Sequence, residues 1–149
     1  MSSYRQILYH IVICSKYREK VFSLDHSKEL YKYIWGIVKG NNSVLYQING
    51  MEEHIHILSD LHPSVSLADF VKDIKLASSK WMKQSNLFPK FSYWSEGYGA
   101  FTYAYAQKEI VTRYIKNQQV HHAKKCFLDE YKNLLEEHHI EFDEKYLPR

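Results

Sequence analysis

The spacing of apolar residues along the chain predicts alternating strands and helices. Segments rich in Ile, Val or aromatic residues predict strands at residues 4–14, 44–48, 53–58 and 99–104. Apolar residues at helical spacing predict helices at residues 25–39, after Ser66, and at residues 107–120 and 124–137. Gly40 is predicted to end the first helix, and Ser66 followed by Asp69 at the third position is predicted to cap the second.

The predicted element order is typical of one small mixed domain. It runs β-α-β-β-α-β and then continues into further helices. This order indicates the ferredoxin-like split βαβ arrangement, an α+β fold in which helices pack on one side of an antiparallel sheet. The dipeptide Asn49-Gly50 predicts the turn of a hairpin between the second and third strands. A chain of 149 residues fits a single domain, residues 1–149, with a sizeable core.

Composition narrows the class of protein without deciding its function. The 45% hydrophobic and 25% charged content is ordinary for a globular protein. A net charge of +3 and 13 tyrosines permit a nucleic-acid partner, because tyrosine offers a stacking face and a polar tip. Cys14 and Cys126 form neither a disulfide framework nor a zinc spacing, so both are expected to be reduced thiols.

No targeting or membrane signal is evident in the sequence. The first residues lack a signal-peptide pattern. No apolar run approaches the ~20 residues that a membrane span needs. We therefore expect a cytoplasmic protein with no membrane partner.

Two short, well-separated motifs carry the candidate chemistry. His54 and His56 flank Ile55 in the third predicted strand, where alternation turns both imidazoles to one face. Tyr114 and Gln118 lie four residues apart in a predicted helix and therefore share a face. Two imidazoles and an amide can hold a divalent metal, and a tyrosine hydroxyl beside it can attack a phosphodiester. Together the motifs favour an enzyme that nicks and joins DNA strands.

Each motif alone is weak evidence. With 9 histidines in the chain, a His-x-His pair arises easily by chance in a half-buried strand. Tyr114 is also compatible with an amphipathic side chain packed on the core. A second Tyr-x-x-x-Gln pair, Tyr103 with Gln107, straddles a predicted strand–helix boundary and is therefore the poorer candidate.

A joint pattern of short segments runs in order over nearly the whole chain. The segments are His10-Ile11-Val12 with Lys16-Tyr17-Arg18 and Val21-Phe22, Met51-Glu52-Glu53-His54-Ile55-His56, residues 75–80, residues 94–101, residues 114–118 with His121-His122, and residues 142–147. This pattern resembles a known family, the single-tyrosine HUH transposases. These enzymes move the smallest bacterial insertion sequences as single-stranded DNA, and their relatives include the REP-associated tyrosine transposases. Glu52 departs from the pattern, since proline is common there, but this affects the turn and not the chemistry.

The resemblance implies a site and a reaction. His54 and His56 would be metal ligands, Gln118 a third, and Tyr114 the nucleophile. The metal would be Mg²⁺ or Mn²⁺, and attack would give a 5′-phosphotyrosine and a free 3′-OH. The implied partners are single-stranded DNA with hairpin ends and a second copy of the chain, with active sites that are either complete in one subunit or shared between two.

Basic and aromatic residues are candidate DNA contacts. Lysine and arginine bind phosphates, and aromatic rings stack on bases. The candidates are Lys16, Arg18, Lys72, Lys75, Lys80, Arg113, Tyr98 and Phe101.

Three other interpretations stay open at this point. The nearest is a replication-initiator or relaxase-type nickase, or a domesticated relative that processes genomic repeats, although relaxases usually carry a third histidine and are larger. A second is a non-catalytic nucleic-acid-binding module, which would expose aromatic residues on an open sheet face. A third is a zinc protein that uses His121-His122 or His138-His139, although adjacent residues on a helix diverge and chelate poorly.

Overall fold

The computed structural model describes residues 3–121 and 125–148. Its four strands are β1 (Leu8–Cys14), β2 (Leu45–Gly50), β3 (His54–Ser59) and β4 (Gly99–Tyr103). They form one antiparallel sheet in the order β2-β3-β1-β4, as the split βαβ pattern predicts. The α-helices are α1 (Ser27–Gly40), α2 (Leu67–Ser85), α3 (Lys108–Lys116), α4 (Gln118–His121) and α5 (Phe127–Glu137). Short 3-10 turns span Lys16–Arg18, Tyr105–Gln107 and Glu144–Tyr146.

Helices cover both faces of the sheet, whereas the sequence predicted one. Ile11, Ile13, Ile55 and Ile57 face α1 and α2, as expected for the split βαβ unit. The opposite face of β1 and β3 is equally buried, and α3 and α5 pack there. A sheet with two buried faces needs cover on both, since an exposed apolar face is unfavourable. The open aromatic face expected of a simple binding module is therefore absent from the described part of the chain.

The hairpin between β2 and β3 turns later than predicted. Asn49 pairs with His56 and Gly50 with Ile55, so both lie within β2, and the chain reverses over residues 51–53. The prediction of an Asn49-Gly50 turn was therefore wrong. The chain requires a glycine at this position because the backbone of His54 approaches it closely, and not because a turn conformation needs one. A Cβ on Gly50 would lie 2.1 Å from the backbone oxygen of His54.

Two glycine substitutions should change stability in opposite directions. Gly50→Ala should lower the free energy of unfolding by about 3 kcal/mol, because the backbone at His54 must shift to admit the methyl group. At Gly36, in the middle of α1, a Cβ would have no atom within 4 Å. Gly36→Ala should therefore raise the free energy of unfolding by up to about 1 kcal/mol. Urea denaturation of both variants measures the two effects, and equal stabilities would refute the close approach.

The helices that follow β4 are shorter than predicted. The predicted helix over residues 107–120 divides into α3 and α4, with Asn117 as the C-cap of α3. The last predicted helix is observed as α5, and its predicted start at residue 124 lies outside the described residues. The Ser66 cap is confirmed, since its hydroxyl accepts a hydrogen bond from the Asp69 amide at 3.1 Å. Within the described ranges, no helix is both long and apolar enough to cross a bilayer.

Candidate active site

His54 and His56 lie side by side on the sheet face that α3 and α5 cover. They are on β3, opposite Cys14 and Val12 of β1, and both side chains are fully buried. The alternation of strand residues turns Ile55 to the other face, into the core beneath α1 and α2. The prediction that both imidazoles share a face is therefore confirmed by the fold.

Glu130 of α5 completes the pair, and sequence reasoning missed it. Its Oε1 atom lies 3.1 Å from His56 Nε2 and 3.4 Å from His54 Nε2. One ligand atom from each of the three residues lies within 4.8 Å of the others. The signal was present, because Glu130 follows Phe127 by three residues and precedes Leu134 by four on an apolar helix face. A carboxylate on the apolar face of a helix is buried when that face packs on the core. A buried carboxylate then needs hydrogen-bonding or charged partners.

Gln118 also reaches this centre. Its Oε1 lies 2.9 Å from His54 Nε2, and its Nε2 donates to Glu130 Oε2 at 2.8 Å. The break in the helix at Asn117 is held in place by Asn49, whose side-chain amide donates to the Lys116 carbonyl at 2.8 Å. The fully buried Gln118 therefore contacts one imidazole and the carboxylate together.

Tyr114 points into the same centre from α3. Its hydroxyl donates to Glu130 Oε2, and its ring stands edge-on to His56 with the ring centroids 5.7 Å apart. Burial, followed by the negative charge of Glu130, raises the pKa of Tyr114 above its ordinary value. The phenol is therefore a protonated hydrogen-bond donor at neutral pH. All these contacts lie within one chain.

Carboxylates on both sides favour a charged His54. Burial alone would lower the pKa of His54, but hydrogen bonds with Glu130 and Glu53 outweigh it and raise the pKa. Glu53 Oε1 lies 2.5 Å from His54 Nδ1, on the ring edge away from Glu130. A proton on Nε2 of His54 must leave before that atom can bind a cation.

A second set of hydrogen bonds leads away from His56. His10 of β1 lies with its Nε2 2.7 Å from His56 Nδ1, and the two rings stack. Its Nδ1 lies 3.2 Å from the Tyr103 hydroxyl, which is 3.3 Å from His138 Nε2. Burial, and then the proximity of His56, lowers the pKa of His10 well below its ordinary value. His10 is therefore neutral.

The donor set fits a divalent cation. Two imidazole nitrogens, a carboxylate oxygen and an amide oxygen converge, with Glu130 supplying the negative charge. Such mixed nitrogen and oxygen donors suit Mn²⁺ or Zn²⁺ well and Mg²⁺ acceptably. The ligands His54 and His56 that the resemblance implied are thus brought together, and Glu130 joins them.

The candidate DNA contacts are scattered over the surface, with two exceptions. Lys72 and Lys80 lie exposed on α2, across the sheet from the histidines, and Arg113 is exposed on α3. Lys16 and Arg18 lie in the turn that follows β1.

The two exceptions are Lys75 and Phe101. Lys75 donates to the Ser95 and Gly97 carbonyls, which ties α2 to the loop before β4. The prediction that Phe101 stacks on a base was wrong, because Phe101 faces α5 and is buried in the core. Tyr98 is 38% exposed and remains a candidate.

The alternative histidine pairs do not form a chelate in the described structure. His138 contacts the Tyr103 hydroxyl, whereas its neighbour His139 is exposed with a positive φ of 56°. The side chains of His121 and His122 lie outside the described residues.

A family model described as "Transposase IS200 like" matches residues 3–118, more than half of the chain. The chain belongs to the IS200-like transposase family. The matched region of this IS200-like transposase includes His54, His56, Tyr114 and Gln118. It ends before α5, so Glu130 lies outside the part that the family model matches.

Curated relatives agree with the IS200-like assignment. The ISDra2 transposase TnpA of Deinococcus radiodurans is 26% identical over 120 residues, which cover 76% of this chain and 84% of the relative. The transposase for insertion sequence element IS200 of Salmonella typhimurium is 27% identical over 115 residues, which cover 74% of this chain and 75% of the relative.

Solved structures share the fold. A Deinococcus radiodurans R1 protein described as a transposase superposes with a TM-score of 0.62 at 25% identity, covering 79% of this chain and 95% of that one. A REP-associated tyrosine transposase bound to a REP hairpin superposes with a TM-score of 0.57 at 16% identity, covering 82% of this chain and 74% of that one.

Proposed function

We propose that this IS200-like transposase cuts and rejoins single-stranded DNA with Tyr114 as the nucleophile, assisted by a divalent metal. One observation carries the proposal. The Tyr114 hydroxyl and the two strand histidines meet on a single buried carboxylate, Glu130. Packing of the core does not require so many polar groups to converge. Phosphoryl transfer does require a nucleophile beside a cation site.

His54, His56, Glu130 and Gln118 would hold the cation. When bound, a divalent cation supplies positive charge that polarises the scissile phosphate and helps to orient it. The two oxygens of Glu130 have different contacts. Oε1 faces the histidines, whereas Oε2 accepts hydrogen bonds from Tyr114 and Gln118. The carboxylate thus couples the position of the nucleophile to the position of the ligands.

The reaction then follows from the contacts of Tyr114. Its hydroxyl oxygen attacks the phosphorus, and its proton passes to Glu130 Oε2, the acceptor it already contacts. The bond between phosphorus and the 3′ oxygen breaks, and that oxygen takes up a proton to become a free 3′-OH. The fragment on the 3′ side of the break is left with its 5′ phosphate esterified to Tyr114. A second 3′-OH can reverse the step and join strands without an external energy source, because the ester conserves the bond.

The partner that we propose is single-stranded DNA with hairpin ends. A structural neighbour is a transposase bound to a REP hairpin, which supports a hairpin ligand for this fold. The turn after β1 supports a strand-binding surface. Tyr17 and Arg18 there both have positive φ, 58° and 55°, which is a strained conformation for residues other than glycine. Tyr17 gains no burial from this strain, since it is 65% exposed.

The same turn lies close to the metal ligands. The Ser15 amide donates to the Glu53 carbonyl, next to His54, and the Lys16 amide donates to the Tyr93 carbonyl. Lys16 Nζ lies 5.5 Å from the ring centroid of Tyr17 and 5.8 Å from that of Tyr93, which is 61% exposed. Cations beside exposed aromatic rings offer a strand both phosphate and base contacts.

Lys16→Ala should weaken binding of single-stranded DNA and reduce its salt dependence. Loss of one phosphate contact should lower the slope of log Kd against log salt by about 0.7. Lys39→Ala is the matched control, because Lys39 Nζ also lies 5.5 Å from an exposed ring, that of Trp35, but on α1 across the sheet. Fluorescence anisotropy at several salt concentrations measures both slopes, and equal slopes would remove Lys16 from the DNA contacts.

A covalent-adduct assay tests the proposed reaction. Single strands from both flanks of the encoding gene, labelled at the 3′ or the 5′ end, are incubated with the protein and Mn²⁺ or Mg²⁺ and resolved on a denaturing gel. The proposal predicts that the 3′ label moves with the protein, that the 5′ label appears on a shortened free strand, and that EDTA abolishes both products. A 5′ label bound to protein would reverse the polarity, and binding without any adduct would refute the reaction.

A further inference from the structure

The two metal-site histidines have different partners on their outer ring nitrogens. His54 Nδ1 faces the carboxylate of Glu53 at 2.5 Å. His56 Nδ1 faces the neutral imidazole of His10 at 2.7 Å, and the contacts continue through Tyr103 to His138. A carboxylate can only accept hydrogen bonds, whereas an imidazole can reverse its role by changing tautomer. The hydrogen bond between His56 and His10 can therefore run in either direction, whereas the bond between His54 and Glu53 cannot.

Without a bound cation, hydrogen bonding would set one direction along this row. Glu130 Oε1 accepts from His56, so a neutral His56 ring carries its hydrogen on Nε2. Its Nδ1 must then accept from His10 Nε2. His10 Nδ1 in turn accepts from the Tyr103 hydroxyl, and the Tyr103 oxygen accepts from His138 Nε2. Every donor meets one acceptor in this order.

A cation on His56 demands the opposite direction. Metal binding uses the Nε2 lone pair, so the hydrogen of a neutral His56 moves to Nδ1. His56 Nδ1 then donates to His10 Nε2, His10 Nδ1 donates to the Tyr103 oxygen, and the Tyr103 hydroxyl donates to His138 Nε2. The same three distances serve either direction, since each lies between 2.7 and 3.3 Å.

We propose that His10, Tyr103 and His138 form a hydrogen-bonded relay whose direction reverses when a metal binds His56. The relay makes His10 a positioning residue, which holds His56 in the tautomer that presents Nε2 to the cation. Protons balance along it: His56 would release its Nε2 proton to solvent and take one on Nδ1 from His10, while His138 would pass its Nε2 proton to Tyr103 and take one from solvent on Nδ1. His10 and Tyr103 each receive one and pass one on. This inference rests on the proposed metal site.

Two properties of the intermediate residues suit them to this role. Tyr103 stays protonated, because burial and then the charge of Glu137 raise its pKa to about 12. His10 is fully buried between β3 and β4, opposite Leu58 and Phe101, so its ring is held in line with both partners. His138 is half-buried at the C-cap of α5, where the relay leaves the core.

Nitrogen-15 NMR of the histidine rings tests the relay without any measurement of activity. Zn²⁺ is the probe, because it is diamagnetic and binds imidazole. One equivalent should shift the ring nitrogens of His54 and His56 and should exchange the protonated nitrogen of both His10 and His138 from Nε2 to Nδ1. Tyr103→Phe should abolish the response of His138 while His10 still responds. Tyr131→Phe is the matched control. Tyr131 is a buried tyrosine of α5, which packs on the same sheet face, but it lies outside the relay, so the variant should respond as the wild type does.

The outcomes separate the relay from the metal site. If His56 responds while His10 and His138 keep their tautomers, the relay is refuted and the metal site stands. If His56 does not respond, both are refuted, while the adduct assay still decides the nucleophile independently. An unchanged response of His138 in Tyr103→Phe would also overturn the relay, because the Tyr103 hydroxyl is the group that joins His10 to His138.

Discussion

Tyr114→Phe should leave no covalent protein–DNA product, a loss of about 10⁴-fold or more in strand cleavage. The substitution removes one oxygen, and that oxygen is the proposed nucleophile. The ring remains to pack beside His56, and Glu130 keeps its contact with Gln118, so the fold and the cation site should persist. Adduct formation on labelled single strands measures the loss, and Mn²⁺ titration calorimetry checks that the site is intact.

Tyr105→Phe is the control, a 60% exposed tyrosine in the turn after β4, and should form adduct normally. An adduct that survives Tyr114→Phe would move the nucleophile elsewhere. Mixing Tyr114→Phe with His56→Ala subunits then tests where the site is assembled. Because Tyr114 and His56 meet on Glu130 within one chain, the mixture should recover no cleavage. Recovery would show a site shared between two subunits of a dimer.

Glu130→Ala should have the second largest effect, on cation binding and on stability together. Loss of the carboxylate should weaken Mn²⁺ binding by about 100-fold or more, since it removes a ligand and the negative charge of the centre. It also leaves Tyr114, Gln118 and both histidines with one acceptor fewer, which should cost about 2–4 kcal/mol of folding free energy. Calorimetric titration and urea denaturation measure the two quantities.

Two further variants make the Glu130 result specific. Glu136→Ala removes an exposed carboxylate from the same helix and should change neither quantity. Glu130→Gln keeps the shape and should recover much of the stability but little of the Mn²⁺ affinity, because a neutral amide is the weaker ligand. Wild-type Mn²⁺ affinity in Glu130→Ala would remove Glu130 from the ligand set.

The parts of the site that local periodicity controls could be predicted from the sequence. Strand alternation puts His54 and His56 on one face whatever surrounds them, and that follows from backbone geometry alone. Tyr114 and Gln118 were predicted to lie close together, and they do, but the structural cause is different from the one expected. A continuous helix was expected, but the helix breaks at Asn117, and the two side chains meet on a third group.

The missed features depend on contacts between distant segments. Glu130 and His56 are 74 positions apart, and no local pattern states that α5 lies over β3. Phe101 looked like a stacking residue because the helices over its face were not anticipated. His10 looked like part of a strand motif, and its relay with Tyr103 and His138 emerges only from the β1–β4 register and the position of α5.

The order in which the centre is made follows from where Glu130 lies. The histidine strand and its neighbours are synthesised first, Tyr114 and Gln118 next, and the carboxylate that they share comes last. During synthesis β3 can therefore pair with β1 before Glu130, the carboxylate shared by the centre, has been made. In the proposed reaction, cleavage would have to wait until α5 packs over β3.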